Sequence, residues 1–320
     1  MPTKIILDVD TGTDDAVALM AAALHPDIEL VAACSVNGNQ PIDRTTENTL
    51  RVFEHIRRPQ IPVYRGCELP MVSTLTPGRK PNQPAFTRSV IHGDWLPIPP
   101  ATIQVQPQHA VNYLIDTYMS TSDAITLVPV GPLTNVAMAL RLEPRIAQRI
   151  PEMVIMGAGH AIGNITPSAE FNWWVDPEAA RITMLAGIPT RLVPLDATHA
   201  AYITYDEALQ LEALGTPAAT AAATFIKERI EGYSQRDLQQ KALRAAPVHD
   251  ALCINAIVDP SVLENVVECF VDVDCSGELT DGRSVCDVLF RTGKAPNAKV
   301  ALSANREKFR NFLFETLART

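Results

Sequence analysis

The chain has 320 residues, 47% of them hydrophobic and 20% charged, enough to bury a large core with an ordinary globular composition. Its formal net charge of −9, with no Lys- or Arg-rich run, speaks against a general nucleic-acid surface. No run of about 18 uncharged apolar residues offers a membrane span, and no apolar signal segment precedes the first strand-like run. A cytoplasmic protein with its six cysteines as reduced thiols is therefore expected.

In chain order, apolar strand-like runs alternate with helix-like segments. "KIILDVD" (4–10) precedes the helical pattern "DDAVALMAAALHP" (14–26), and "ELVAACSV" (29–36) precedes "RTTENTLRVFEHI" (44–56). After the strand-like "IPVYRG" (61–66), residues 68–100 are rich in Pro, Gly and Thr without sustained periodicity, as a loop covering a site would be. "PQHAVNYLIDTYMS" (107–120) reads as a helix, and "ITLVPVG" (125–131), "EMVIMGAG" (152–159) and "TRLVPLDAT" (190–198) as strands. The helix "DPEAARITMLAG" (176–187) separates the last two. Residues 205–246 read as mostly helical, and "PVHDALCINAIVDP" (247–260) starts another helix. The stretch 265–304 alternates as a β-ribbon before the closing helix "NREKFRNFLFETLART" (305–320). Strands apolar on both faces with helices between them predict an α/β fold. The expected architecture is an open, mostly parallel Rossmann-like sheet with helices on both faces, plus a small C-terminal β-ribbon and helix. With no repeat or composition break, 1–320 reads as one domain, with 68–100 as an active-site lid and 265–304 as the β-ribbon region.

The stretch "KIILDVDTGTDDAVAL" (4–19) crowds Asp8, Asp10, Asp14 and Asp15 at a strand end. A helix start explains Asp14 and Asp15, because acidic side chains favour a first helical turn, but it leaves Asp10 unexplained. "DVDT" also matches loosely the nucleophile loop of a haloacid-dehalogenase-type phosphatase, with Asp8 as nucleophile and Asp10 as acid/base. That chemistry needs a downstream Lys and a late carboxylate pair; none of the seven lysines follows a strand end convincingly, and no G-D-x-x-x-D occurs. The third reading is an oxygen-lined cradle for a hard cation, with Ca²⁺ the best fit. "APVHDALCINAI" offers Asp250 as a further ligand with His249 beside it, and the strand end "VPVGPLTN" offers the Val130 carbonyl.

A second polar cluster lies in "GHAIGNITPSAEFNWWVDPEAA" (159–180), with Asn164, Glu170 and Asn172 on one strand-end loop. Two amides and a carboxylate suit the hydroxyls of a sugar, since each can donate to or accept from an OH. The alternative is a polar surface loop whose Asp176 and Pro177 cap the next helix.

Taken together, "DVDTGTDDAVAL", "NGN" (37–39), "VPVGPLTNVA", "VIMGAG", "GNITPSAEFNWWVDPEAA" and "HDALCINAIVDP" resemble the inosine–uridine-preferring nucleoside hydrolases. The likeness runs in family order from about residue 4 to the last helix. It implies Ca²⁺-dependent hydrolysis of the N-glycosidic bond of ribonucleosides to ribose and base. Asp10, Asp15, Asp250 and the Val130 carbonyl would ligate the metal, and Asp10 would also take the proton of the attacking water. Asp14, Asn39, Asn164, Glu170 and Asn172 would hold the ribose, with Met156 packed near it. His249 would face the base and act on the leaving group, and His92 would contact the base. A homodimer or homotetramer acting on a small ribonucleoside, with no nucleic-acid or membrane partner, is implied as well. A non-catalytic nucleoside- or sugar-binding protein on the same fold is the rival from another class.

The likeness weakens in two places. The lid segment "IHGDWLP" keeps His92 and Gly93 but lacks the second glycine of the family's H-G-x-x-G-L, leaving Trp95 either at the base or packed beneath the lid. Before His249, base contacts could come from Tyr233, Gln235, Arg236, Gln239 or Lys241, so base preference reads as pyrimidine or broad. One of Trp173 and Trp174 is expected in the pocket and the other in the core. His25, His55, His109 and His199 are read as having no site role, with His25 and His55 exposed, and His160 as a weaker site candidate.

Overall fold

The computed structural model describes residues 1–75 and 92–320; the lid expected at 68–100 therefore falls partly outside the described residues. The chain opens with β1 (Thr3–Val9), α1 (Thr13–Leu24), β2 (Ile28–Ser35), α2 (Ile42–His55) and β3 (Val63–Arg65). It continues through α3 (Ala110–Ser120), β4 (Ile125–Pro129), α4 (Thr134–Leu142), β5 (Met153–Met156), α5 (Phe171–Val175), α6 (Pro177–Met184) and β6 (Thr190–Val193). The second half adds α7 (Leu195–Thr198), β7 (Tyr202–Thr204), α8 (Tyr205–Glu212), α9 (Pro217–Ser234), α10 (Leu238–Leu243), β8 (Ala245–Pro247) and α11 (His249–Val258). β9 (Leu263–Cys269), β10 (Val271–Val273), β11 (Ser284–Cys286), β12 (Ala298–Ala304) and α12 (Arg306–Leu317) close the chain.

Among the described residues, eight strands form one sheet in the order β3-β2-β1-β4-β5-β6-β12-β9. All neighbours are parallel except β12 and β9, which run antiparallel. The C-terminal ribbon is thus shared: β9 and β12 extend the main sheet, while β10 and β11 pair as a separate antiparallel hairpin. The chain steps outward from β1 to β3, then crosses to the other side of β1 for β4. The crevice at the carboxyl ends of β1 and β4 is therefore the topological switch point, where open α/β sheets bind ligands.

The period of two in β1 divides the core. Ile5, Leu7 and Val9 belong to the apolar layer built with α1, α2, α9 and α11, whereas Ile6 belongs to the layer built with α3, α4 and α6. α1 has eleven of its twelve residues buried, packing on α2, α9, α11 and α12, because its side chains are small, apolar or part of the site. Such a helix is held by tertiary packing rather than by propensity, which fixes the direction of the acidic turn at its start.

Candidate functional site

Asp10 follows β1 directly and is almost fully buried. Its Oδ2 accepts the Asn39 amide at 2.6 Å. Gly38 lies against it so closely that a Cβ built there would collide with Asp10 Oδ2, so the second strand-end loop can reach Asp10 only as glycine. Asp15 organises the turn: its carboxylate accepts from Asp10 N (3.1 Å), Gly12 N (2.9 Å) and Asn39 Nδ2 (3.2 Å). Asp250 enters from the first turn of α11, where the helix dipole favours an anion. Carboxylate oxygens of Asp14, Asp15 and Asp250 lie within 4.8 Å of one another, all buried.

Burial first, and the adjacent carboxylates after it, raise Asp15 to about 7 and Asp10 and Asp250 well above the usual carboxylate range. Asp14 Oδ1 sits 2.8 Å from Arg229 Nη1, an ion pair by distance, yet no donor is aligned on that buried oxygen. A dry, all-oxygen cluster with an open acceptor and mutual repulsion is the donor set of a hard cation, and these residues fit one. Val130 directly follows β4 and also lines the site, its carbonyl accepting from Asn172 Nδ2 at 2.7 Å.

The loop after β5 forms the facing wall. Glu170 caps α5, its carboxylate accepting from Asn172 N, Trp173 N and Ala158 N, while burial raises it to about 7. Asn172 Nδ2 also lies 3.6 Å from Met156 Sδ, and exposed Asn164 accepts Phe171 N at 2.9 Å. Four consecutive amides at the loop's start are held by side chains from three other places: Ala158 by Glu170, Gly159 by Ser284, and His160 and Ala161 by Asp196. Ser284 Oγ also donates to Gly159 O at 2.7 Å.

The third wall comes from α9, α11 and the stem after the undescribed segment. His249 has both ring nitrogens engaged, Nε2 with Tyr233 Oη (2.6 Å) and Nδ1 with Thr198 Oγ1 (2.7 Å). Burial and the Arg229 charge lower it well below the usual imidazole range, so the ring is neutral near pH 7. His92 Nδ1 accepts Thr13 N at 3.0 Å, and burial lowers this ring to about 4. Its approach leaves no room for a Cβ at Gly12. Trp95 is turned away from the cavity and lies between two guanidinium groups, 5.4 Å from Arg44 and 4.7 Å from Arg51.

These walls enclose a cavity of about 340 Å³, within the range of small-molecule sites. Asp10, Asp14, Asn39, His92, Val130, Met156, Asn164, Glu170, Asn172, His249 and Asp250 all line it. Asp15 lies just beneath, joined through Asp10 and Asn39. Residues 5–311 match the family described as inosine-uridine preferring nucleoside hydrolase. The chain belongs to that family. It is 38% identical over 314 residues to a pyrimidine-specific ribonucleoside hydrolase, RihB, of Escherichia coli (strain SE11), covering 96% of this chain and 94% of the relative. In fold it is similar to a purine-preferring ribonucleoside hydrolase from Gardnerella vaginalis, with TM-score 0.88, 28% identity and coverage of 99% and 98% of the two chains. An inosine-guanosine nucleoside hydrolase gives TM-score 0.85 at 25% identity, with both chains fully covered. This member is accordingly an enzyme, a hydrolase of the N-glycosidic bond of ribonucleosides. The phosphatase and non-catalytic readings give way; Asp8 in particular is fully buried, bonded to Asn135 Nδ2 at 2.8 Å.

Sequence reasoning missed several cavity residues. Arg229, fully buried in the middle of α9, donates to Pro247 O (3.0 Å) and Thr13 Oγ1 (3.2 Å) and pairs with Asp14. Its Ala-rich helical surroundings carry no hint of this; only the placing of α9 against α1 reveals it. His199, read as having no role, lines the cavity, its Nε2 3.6 Å from Asp237. Phe171 and Asp237 line it too; of the residues offered before His249 as base contacts, Tyr233 and Arg236 line it and Gln235, Gln239 and Lys241 do not. Other expectations change as well. Trp173 is core and neither Trp173 nor Trp174 lines the cavity. His25 and His55 are half-buried rather than exposed, His25 stacked on Phe312 and His55 bonded to Pro217 O. His160 is outside the cavity lining. Among the described residues no helix is long and apolar enough to cross a membrane.

Proposed function

We propose that the enzyme is a Ca²⁺-dependent ribonucleoside hydrolase that prefers pyrimidine bases or accepts both base classes. The observation that carries this reading is the convergence of Asp10, Asp14, Asp250, Tyr233 and His249 on a single cavity. Asp10, Asp15, Asp250 and the Val130 carbonyl would hold the cation, with Asp14 close enough to share it. When bound, the cation supplies Lewis-acid polarisation of the attacking water and offsets the carboxylate repulsion. Asp10 takes the water's proton, its basicity heightened by burial. Asp14, Asn39, Asn164, Glu170 and Asn172 orient the ribose hydroxyls, with Met156 against the ring. As the C1′–N bond lengthens, positive charge grows on the ribosyl ring, and the carboxylates stabilise it.

His249 positions Tyr233 at the base end rather than acting on the base directly, since neither ring nitrogen is open. His92, seated over Gly12, borders the base end. The pyrimidine preference is supported by the 38% identity to a pyrimidine-specific relative, against 28% to a purine-preferring one. The family likeness supports a cytoplasmic homodimer or homotetramer formed from a single domain, with 68–100 as its lid.

Incubating the protein with uridine, cytidine, inosine and adenosine, with Ca²⁺ or with chelator, tests the whole reading. Reducing sugar released fastest from uridine and cytidine, and abolished by chelator, is the expected result. Turnover undiminished by chelator, or release from purine nucleosides alone, overturns the metal or the base assignment respectively.

A further inference from the structure

The cavity lining carries the carboxylates of Asp10, Asp14, Glu170, Asp237 and Asp250 together with the guanidinium groups of Arg229 and Arg236. Arg229 reaches from Asp14, 2.8 Å away, to the ring of Tyr233. Arg229 is the one Lys or Arg among the described residues that is fully buried. Placing a guanidinium in a dry site carries a large desolvation penalty, and here it is anchored at three points and stacked 5.6 Å from the Tyr233 ring. We propose that Arg229, with exposed Arg236 also lining the cavity, is the cationic part of the site that receives the negative charge of the departing base. This rests on the nucleoside-hydrolase reading above and assigns the leaving-group step within it.

The proton arrangement of the dyad points the same way. Thr198 Oγ1 lies 3.4 Å from Leu195 O, which can only accept, so the threonine proton is directed there. Thr198 then accepts Nδ1–H of His249, Nε2 is left as an acceptor, and the Tyr233 proton is directed at His249. In this state no proton is delivered to the base as the bond breaks. The C1′–N electron pair passes to the base, where it spreads over the ring carbonyls of a pyrimidine. The water oxygen bonds to C1′ and its proton goes to Asp10. The base anion takes up a proton from solvent after the bond has broken. Fixed positive charge in a low-dielectric site is the means by which such an anion is stabilised without reorganisation. A lining that holds both carboxylates and guanidinium groups can therefore meet the charge separation of the transition state, the former facing the cationic ribosyl and the latter the anionic base.

The test uses full-length wild type and Arg229→Gln on a series of isosteric substrates, 5-fluorouridine, uridine and 5-methyluridine, whose bases are progressively worse anions. Arg229→Gln should lower kcat for uridine by roughly 10²-fold, the scale of a lost charge-stabilising donor. The loss should be smaller for 5-fluorouridine and larger for 5-methyluridine, steepening the plot of log kcat against base pKa. Arg229→Lys, which keeps a charge in the same hole, should restore the wild-type slope. Equal losses across the series overturn the proposal and leave Arg229 as a holder of Asp14 acting on the sugar. If Arg229→Gln does not fold, the slope of Arg236→Gln decides: steeper than wild type supports the proposal, and unchanged overturns it. Wild type that hydrolyses none of the three fails the pyrimidine reading instead, which is a separate outcome.

Discussion

In the proposed mechanism Asp10 is the side chain on which most of the chemistry turns. It stands at the end of β1 with Oδ2 held by the Asn39 amide, beside Asp15 and among other carboxylates. A base in that position is both oriented and made more basic by its surroundings. Asp10→Ala should therefore lose at least ~10²-fold in kcat, with a much smaller change in KM, as general-base removal does. Steady-state kinetics on uridine check it; a kcat within a few-fold of wild type removes Asp10 from the mechanism. Asp8, two residues earlier, was open to a nucleophile's role by motif alone. The fold settles it, because a carboxylate sealed beneath the sheet end and paired with Asn135 cannot meet a substrate.

Among the elements, the strand-end loops are packed against one another with almost no slack. Gly38 belongs to the loop after β2 yet forms part of the wall around Asp10. Gly38→Ala should displace the Asp10 carboxylate, because a methyl group there must share space with Oδ2, and overpacking of this kind costs about 1–3 kcal/mol. The expected readout is a kcat at least ~10-fold lower and a smaller Ca²⁺-induced rise in Tm, with the far-ultraviolet circular dichroism unchanged. Unaltered kinetics would mean that the loop simply moves aside. The β10–β11 hairpin is the element whose place sequence periodicity described least well. Read as a peripheral ribbon, it reaches back through Ser284 to clamp Gly159, while α7 clamps His160 and Ala161 through Asp196. Such side-chain-to-backbone bonds between distant segments leave no periodic trace.

For the molecule as a whole, the buried carboxylates set how stability depends on pH. Asp8, Asp15 and Glu170 are each raised to about 7, chiefly by burial. In the unfolded chain such groups titrate near pH 4. Between about pH 4 and 7 the native state thus binds more protons than the unfolded state, and stability falls as pH rises through that window. Chelated protein should show a Tm lower at pH 8 than at pH 5 by at least ~5 °C. Added Ca²⁺ should reverse this at pH 8, since a cation that binds only the native state adds its binding free energy to folding. Differential scanning calorimetry with and without chelator checks both; a Tm that rises from pH 5 to 8 without metal contradicts the account.

By itself the sequence was sufficient for the βα alternation, the mostly parallel sheet and the residues of three strand-end motifs, because periodicity and local charge clusters are properties of neighbouring residues. It also placed Asp14 and Asp250 at helix starts and Glu170 on its strand-end loop, which are local features too, but not the short helix α5 that carries Asn172. The partners of those side chains were decided only by tertiary packing. Arg229 faces Asp14 across 215 positions of chain, His199 borders the cavity from just beyond the four-residue α7, and Trp95 lies outside the cavity lining against Arg44 and Arg51 of α2. A buried guanidinium in an Ala-rich helix looks like any solvated arginine until the helix is docked. Burial is what turns it into a fixed charge, and burial is a property of the fold rather than of the segment.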